Sequence, residues 1–124
     1  VELDHIILPV NDRETSVAFY TDVLGLEHEV EREPFSVIRV TPAFTLQLAP
    51  WGTSGGYHVA FAMADHEFRE VFARIRARGI PFGDSFHAVG NMQGPGAEDG
   101  SRGTGRAVYL NDPNEHLVEI RCYE

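Results

Sequence analysis

The sequence predicts an α+β fold built from two βαβββ modules, and three observations carry that prediction. The first is an internal repeat. Setting His58 on His5 aligns "HIILPVNDRETSVAFYTDVLG" with "HVAFAMADHEFREVFARIRARG". Each line opens on His, has Asp seven residues on (Asp12, Asp65) and Phe seven further (Phe19, Phe72), and then reaches glycine (Gly25, Gly79). The second is the run of short strand patterns, broken by Pro and Gly, that follows each helix pattern. The third is that the closing strands also match: Leu46-Gln47-Leu48 falls on Val118-Glu119-Ile120.

The elements follow in order. An apolar strand begins at His5, and a helix starts after Asn11, which forms a capping box with Glu14. Val17, Tyr20 and Leu24 fall on one line, with Phe19 and Val23 beside them, and Gly25 closes the helix. "LEHEVE", "FSVIRVT" and "FTLQLAP" then read as strands, with Pro34 and Pro42 at their edges. The turn "WGTSGG" at 51–56 separates the modules, placing module 1 at about 1–50 and module 2 at about 56–124 of one domain, 1–124. In module 2 the strand at His58 leads to a helix capped by Asp65. Its Phe68, Val71, Phe72 and Ile75 make an i, i+3, i+4, i+7 stripe that must lie on a sheet. Gly79 ends it. "IPFGDSF", "RAVYL" and "HLVEIRCY" supply strands, the last two joined by "NDPNE". The glycine-rich run at 90–105 reads as neither helix nor strand, and its length makes it a mobile cover or a disordered surface loop.

Composition narrows the function classes. At 124 residues with 43% hydrophobic and 23% charged residues, the chain fits one globular domain. No apolar run approaches the roughly 20 residues that span a bilayer, and the N-terminus carries no export pattern. The single cysteine, Cys122, excludes an internal disulfide framework and suits a reducing cytoplasm. A net charge of −9 argues against nucleic acid. All ten basic residues are Arg, so lysine Schiff-base and lysine general-base chemistry are absent.

In both closing strands a polar residue stands between two aliphatics, so it points away from the helix-covered face. The same parity puts His5, Gln47, His58 and Glu119 on the faces opposite the helices. Four such side chains are costly to bury without a partner, and a divalent cation is the simplest single one. Two imidazoles and a carboxylate suit catalytic Fe, Mn, Ni, Co or Zn and leave positions open for substrate or water. A hydrogen-bonded His–Glu core network is the competing account. His28 and His66 read as exposed and His116 as part of a turn, while His87 beside the glycine run is a candidate substrate contact.

The stretches "LDHIILPVNDRETSVAFYTDVLGLE", "YHVAFAM" and "VYLNDPNEHLVEI" together resemble the vicinal oxygen chelate superfamily, which includes glyoxalase I, extradiol dioxygenases, and fosfomycin and bleomycin resistance proteins. The resemblance implies paired βαβββ modules forming a curled mixed sheet with a metal-binding cleft. It implies metal ligands at His5, His58 and Glu119, with Gln47 at an additional ligand position. It implies a homodimer and a small oxygenated substrate, whose anionic intermediate the metal stabilises.

The family's chemistries are not equally compatible with this chain. Glyoxalase I typically has a carboxylate at the position of Gln47, and an amide cannot take a proton from carbon; Glu119 can serve as both ligand and catalytic base. Fosfomycin resistance enzymes usually have Thr where Ile7 stands, and many use a lysine. Arg39, Arg106 and Arg121 are candidate substitutes for an anion clamp. A ring-cleaving dioxygenase needs a further acid–base residue, for which His87 and Tyr109 are candidates. The resulting expectation is a metalloenzyme of glyoxalase or dioxygenase type, and its alternative is a drug-sequestering protein without catalysis.

Overall fold

Two units make up the computed structural model, which describes residues 1–124: Val1–Gly55 and Gly56–Glu124. In the first, β1 (His5–Pro9) leads into α1 (Arg13–Ala18), which continues as a π-helical stretch over Phe19–Val23. Three strands follow, β2 (Glu27–Arg32), β3 (Phe35–Thr41) and β4 (Phe44–Ala49). The sheet order is β1-β4-β3-β2, with β1 parallel to β4 and the other pairs antiparallel. The period of two is visible in its burial. Leu8, Ile38, Leu46 and Leu48 are wholly enclosed, while Gln47, between two of them, is only half-buried.

The helix entry differs by one residue from the sequence expectation. Asp12 is the cap: its carboxylate accepts from the Thr15 N–H at 3.0 Å. Asn11 instead accepts from the Thr53 N–H at 2.8 Å, tying the entry to the segment after β4. The uneven stripe of this helix also has a cause. Leu24 N–H bonds the Phe19 carbonyl at 3.2 Å, five residues back, and this wider winding brings Phe19, Tyr20, Val23 and Leu24 all into the core. Gly25 stops the helix at φ 78°, as its position predicts.

The second unit repeats the plan with one addition. Its elements are β5 (His58–Ala62), α2 (Asp65–Ala77), β6 (Phe82–Gly83), β7 (Gly96–Gly100), β8 (Gly103–Asn111) and β9 (Leu117–Cys122). The order β5-β9-β8-β6 reproduces that of the first sheet, β5 running parallel to β9, and β7 adds to β8. The fold is therefore α+β, with two βαβββ modules in two mixed sheets and β7 as an extra strand in the second. Phe68, Val71, Phe72 and Ile75 are all buried, each contributing roughly 1.5–3 kcal/mol. Asp65 is the first residue of α2, not its cap. That position belongs to Ala64, whose N–H reaches the Glu67 carboxylate at 3.3 Å. The Asp65 carboxylate pairs with Arg106 at 2.6 Å and Arg69 at 2.9 Å.

The glycine-rich run needs a correction. Residues 96–100 and 103–105 are strand, paired in register from Gly96↔Ala107 to Gly100↔Gly103. The glycines stand where neighbours leave no room for a side chain. A Cβ on Gly96 would come within 3.0 Å of the Asp84 carbonyl oxygen, and one on Gly105 within 3.0 Å of the Cys122 carbonyl oxygen. A Cβ on Gly100 would meet the Arg121 guanidinium and the Tyr123 hydroxyl. Composition reports such close packing and chain flexibility with the same residue type. Conversely, "IPFGDSF" yields only the two-residue β6. No helix is long and apolar enough to cross a membrane.

Candidate functional site

On the face of the second sheet turned away from its buried aliphatics, four chemically capable side chains meet. The register sets Ala60 beside Glu119 and Ala62 beside Arg121, and places Tyr109 directly across from Glu119. His58 shares that face by the period of two. Its Nε2 lies 3.0 Å from Glu119 Oε1, and the other carboxylate oxygen, Oε2, accepts from Arg121 Nη1 at 2.5 Å. Glu119 and Arg121 are 5% and 3% exposed, so both charges are held out of water and depend on one another. Arg121 Nη2 donates to the Glu98 carbonyl at 2.7 Å, and its guanidinium carbon sits 4.7 Å from the Tyr123 ring centre. Its Nε is buried without a hydrogen-bond partner. Ala60, Ala62 and Ala107, registered beside Glu119 and Arg121, keep the floor around the charged group low.

Tyr109 is 3% exposed, and its hydroxyl hydrogen-bonds Glu119. Burial, reinforced by the negative charge of Glu119, pushes its pKa up to about 12. The phenol is therefore a proton donor throughout the neutral range. The raised value also links Tyr109 to stability. A group that binds its proton more tightly when folded gives its full contribution below the unfolded pKa of about 10, and loses it as pH rises toward 12. Ultraviolet titration should show one of the four tyrosines ionising about two pH units late. That lagging step should vanish in Tyr109→Phe, and its persistence would assign the late phenol elsewhere.

The first sheet carries His5 and Gln47 on one face: His5 is registered with Thr45, and Gln47 with Ile7 and Val37. His5 is exposed at the start of β1, its Nδ1 2.7 Å from Asp4 Oδ2. A carboxylate on Nδ1 is the support that makes Nε2 a good metal donor. Arg39 is otherwise engaged. Nε and Nη2 both bond Glu29 at 2.9 Å, and Nη1 reaches the carbonyls of Thr41 and Pro42 at 3.2 Å. His87 lies in the irregular segment after β6, exposed and stacked on Phe86 at 3.8 Å. Arg106 pairs with Asp65 and covers Phe68 on the helix side.

Of the predicted residues, the second unit thus gathers His58, Tyr109, Glu119 and Arg121. Glu98 was missed. It shares the Arg121 face through its register with Gly105, and its charge reaches Tyr109. The alternation within "GAEDG" was the available signal, obscured by the glycines around it. His116, read as a turn residue, is fully buried, with its Nδ1 accepting from the Tyr57 N–H at 3.3 Å.

Whether a metal fits can be tested on these distances. Two ligand atoms about 2.1 Å from a common ion and at right angles are about 3.0 Å apart, which is the His58–Glu119 separation. The pair has the spacing of half a metal site. Nowhere in the chain do three or more His, Cys, Asp or Glu side chains gather in a metal-holding group.

Residues 2–120 match the Glyoxalase/Bleomycin resistance protein/Dioxygenase superfamily. The chain belongs to this superfamily. Among solved structures it is similar to Oxidase ChaP-H1, with 34% identity and a TM-score of 0.82, covering 100% of this chain and 97% of that one. Oxidase ChaP-H2 is 29% identical with a TM-score of 0.87, covering 100% and 94%. Virulence protein STM3117 of Salmonella typhimurium is 24% identical over 131 aligned positions, spanning 98% of this chain and 83% of that protein. The superfamily contains both enzymes and proteins that bind antibiotics, so membership alone leaves the reaction open.

Proposed function

We propose that this protein is a metal-dependent vicinal oxygen chelate enzyme of oxidase or dioxygenase type, acting on a small oxygenated molecule. The observation that carries the reading is the His58–Glu119 pair, at ligand spacing on an open sheet face. His5 supplies the second imidazole and Gln47 the weaker fourth donor, each on the open face of its own sheet. The resemblance to Oxidase ChaP-H1 favours oxidation over isomerisation. A divalent Fe, Mn, Ni, Co or Zn ion there would act as a Lewis acid toward neighbouring substrate oxygens.

The chain's own groups have definite tasks beside that ion. Arg121 holds Glu119 in place. Tyr109, protonated at neutral pH, can donate to a substrate oxygen that gains negative charge. With Oε2 bonded to Arg121, the roles of ligand and catalytic base at Glu119 compete for Oε1 alone. The alanine floor admits a flat substrate.

The protein dialysed against each metal in turn should retain about one ion per chain. His58→Ala should lower affinity at least 100-fold, and Gln47→Ala much less, because a neutral amide is a poorer donor. One observation favours a second reading, a binding protein that sequesters its ligand without chemistry. His58 and Arg121 already satisfy both Glu119 oxygens. Retention of none of the metals would establish that reading in place of the first.

A further inference from the structure

We infer that Arg121 is a positioning residue that restricts Glu119 to a single metal-binding oxygen and cancels its charge, keeping the site open and weakly donating. The inference rests on the metal-dependent reading above. Its ground is the immobility of the guanidinium. Nη1 holds Glu119 Oε2 at 2.5 Å and Nη2 holds the Glu98 carbonyl at 2.7 Å. One side of the group lies against Tyr123, and Gly100 stands so close that even a methyl group there would collide with Cζ and Nε. Gly105 approaches Nη2 in the same way. The unpartnered Nε shows how far packing decides this arrangement, since a buried N–H is left unsatisfied to keep the other two contacts.

A charged donor fixed in this way has two consequences for a cation. Oε2 cannot turn to chelate, so Glu119 offers Oε1 only and one more coordination position stays available to substrate. The donor set His5, His58, Gln47 and Glu119 carries one negative charge, and Arg121 offsets it. The ion then keeps close to its full positive charge, which strengthens its attraction for an anionic oxygen ligand. The cost is weaker metal binding.

This role predicts the opposite of an ordinary supporting residue. Removing a group that merely orients a ligand lowers metal affinity about 10–100-fold. Arg121→Met should instead bind Co(II) and Zn(II) about 10-fold more tightly than the unmutated protein, because both Glu119 oxygens and its whole charge become available. The rise in melting temperature on adding Zn(II) should also be larger for Arg121→Met, whose uncompensated carboxylate gains a partner from the ion. Arg121→Lys, which retains the charge, should stay near the unmutated affinity.

Equal or weaker binding by Arg121→Met, with the unmutated protein binding normally, would overturn the inference and leave the metal reading standing. If the unmutated protein binds no metal, both fall. Should Arg121→Met fail to fold even with Zn(II) present, infrared difference spectra of the unmutated protein with and without Zn(II) decide. Widely split carboxylate stretches mark single-oxygen binding and support the role; a narrow splitting refutes it.

Discussion

Glu119→Ala is expected to cost about 3–5 kcal/mol of folding stability in addition to the metal. The reason is the partner it strands. Arg121 is 3% exposed, and Glu119 supplies its only carboxylate at bonding distance; the Glu98 carbonyl is neutral. Burial works against the guanidinium charge, and Glu119 outweighs it, holding Arg121 above the ordinary arginine range. Without Glu119 only the burial penalty remains. Urea unfolding should therefore show a large drop in midpoint for Glu119→Ala. Glu119→Ala combined with Arg121→Met should recover most of it, since neither charge is then buried alone. A double variant as unstable as the single one would show that the pair is not what stabilises this sheet face. The same logic sets a rule for interpreting activity: loss in Glu119→Ala mixes unfolding with ligand loss. His58→Ala is the cleaner ligand variant, because His58 is exposed and strands no buried charge.

The parts of this fold that the sequence disclosed are those governed by local period and by glycine stereochemistry. The α2 stripe is buried residue for residue, and Gly25 and Gly79 take the positive φ their positions require. The alternation around Gln47 and Glu119 put both on the open faces. Where two residues compete for one role, the sequence could not decide. Asn11 and Asp12 are both good caps, and only the approach of Thr53, distant in sequence, draws Asn11 away. Residues 96–105 failed for a different reason: glycine signals that a side chain would not fit, and only the neighbouring Asp84, Arg121 and Tyr123 reveal that tight packing is the cause.

The candidate site was legible as a list and not as a network. Residue type and parity nominated His58, Tyr109, Glu119 and Arg121 separately. Their mutual arrangement depends on the register of β8 against β9 and of β5 against β9, which sets Tyr109 across from Glu119 and leaves Ala60 and Ala62 between. That register in turn brings the two oxygens of one carboxylate to two different partners. Arg39 shows the reverse. Its type suited an anion clamp, yet Glu29 on the neighbouring strand holds it by two hydrogen bonds.

Mixing two inactive variants is expected to restore metal binding. The proposed donors divide between the two sheets, His5 and Gln47 on one, His58 and Glu119 on the other. No single chain gathers three of the ionisable ligands. A homodimer in which each site takes one pair from each chain completes the set twice, and C2 symmetry makes the two sites equivalent. His5→Ala and His58→Ala proteins, each unable to bind an ion tightly, should be unfolded together and refolded as a mixture. About half the dimers would then be mixed. Each mixed dimer holds one site that lacks both imidazoles and one that is intact, so the refolded mixture should bind about one ion per four chains. Sites built within one chain would remain broken in every pairing, and the mixture would bind no more than either parent. Sedimentation of the unmutated protein at micromolar concentration supplies the independent check. A monomer there would exclude the shared site, while a dimer with complementation would assign His5 and His58 of each site to different subunits.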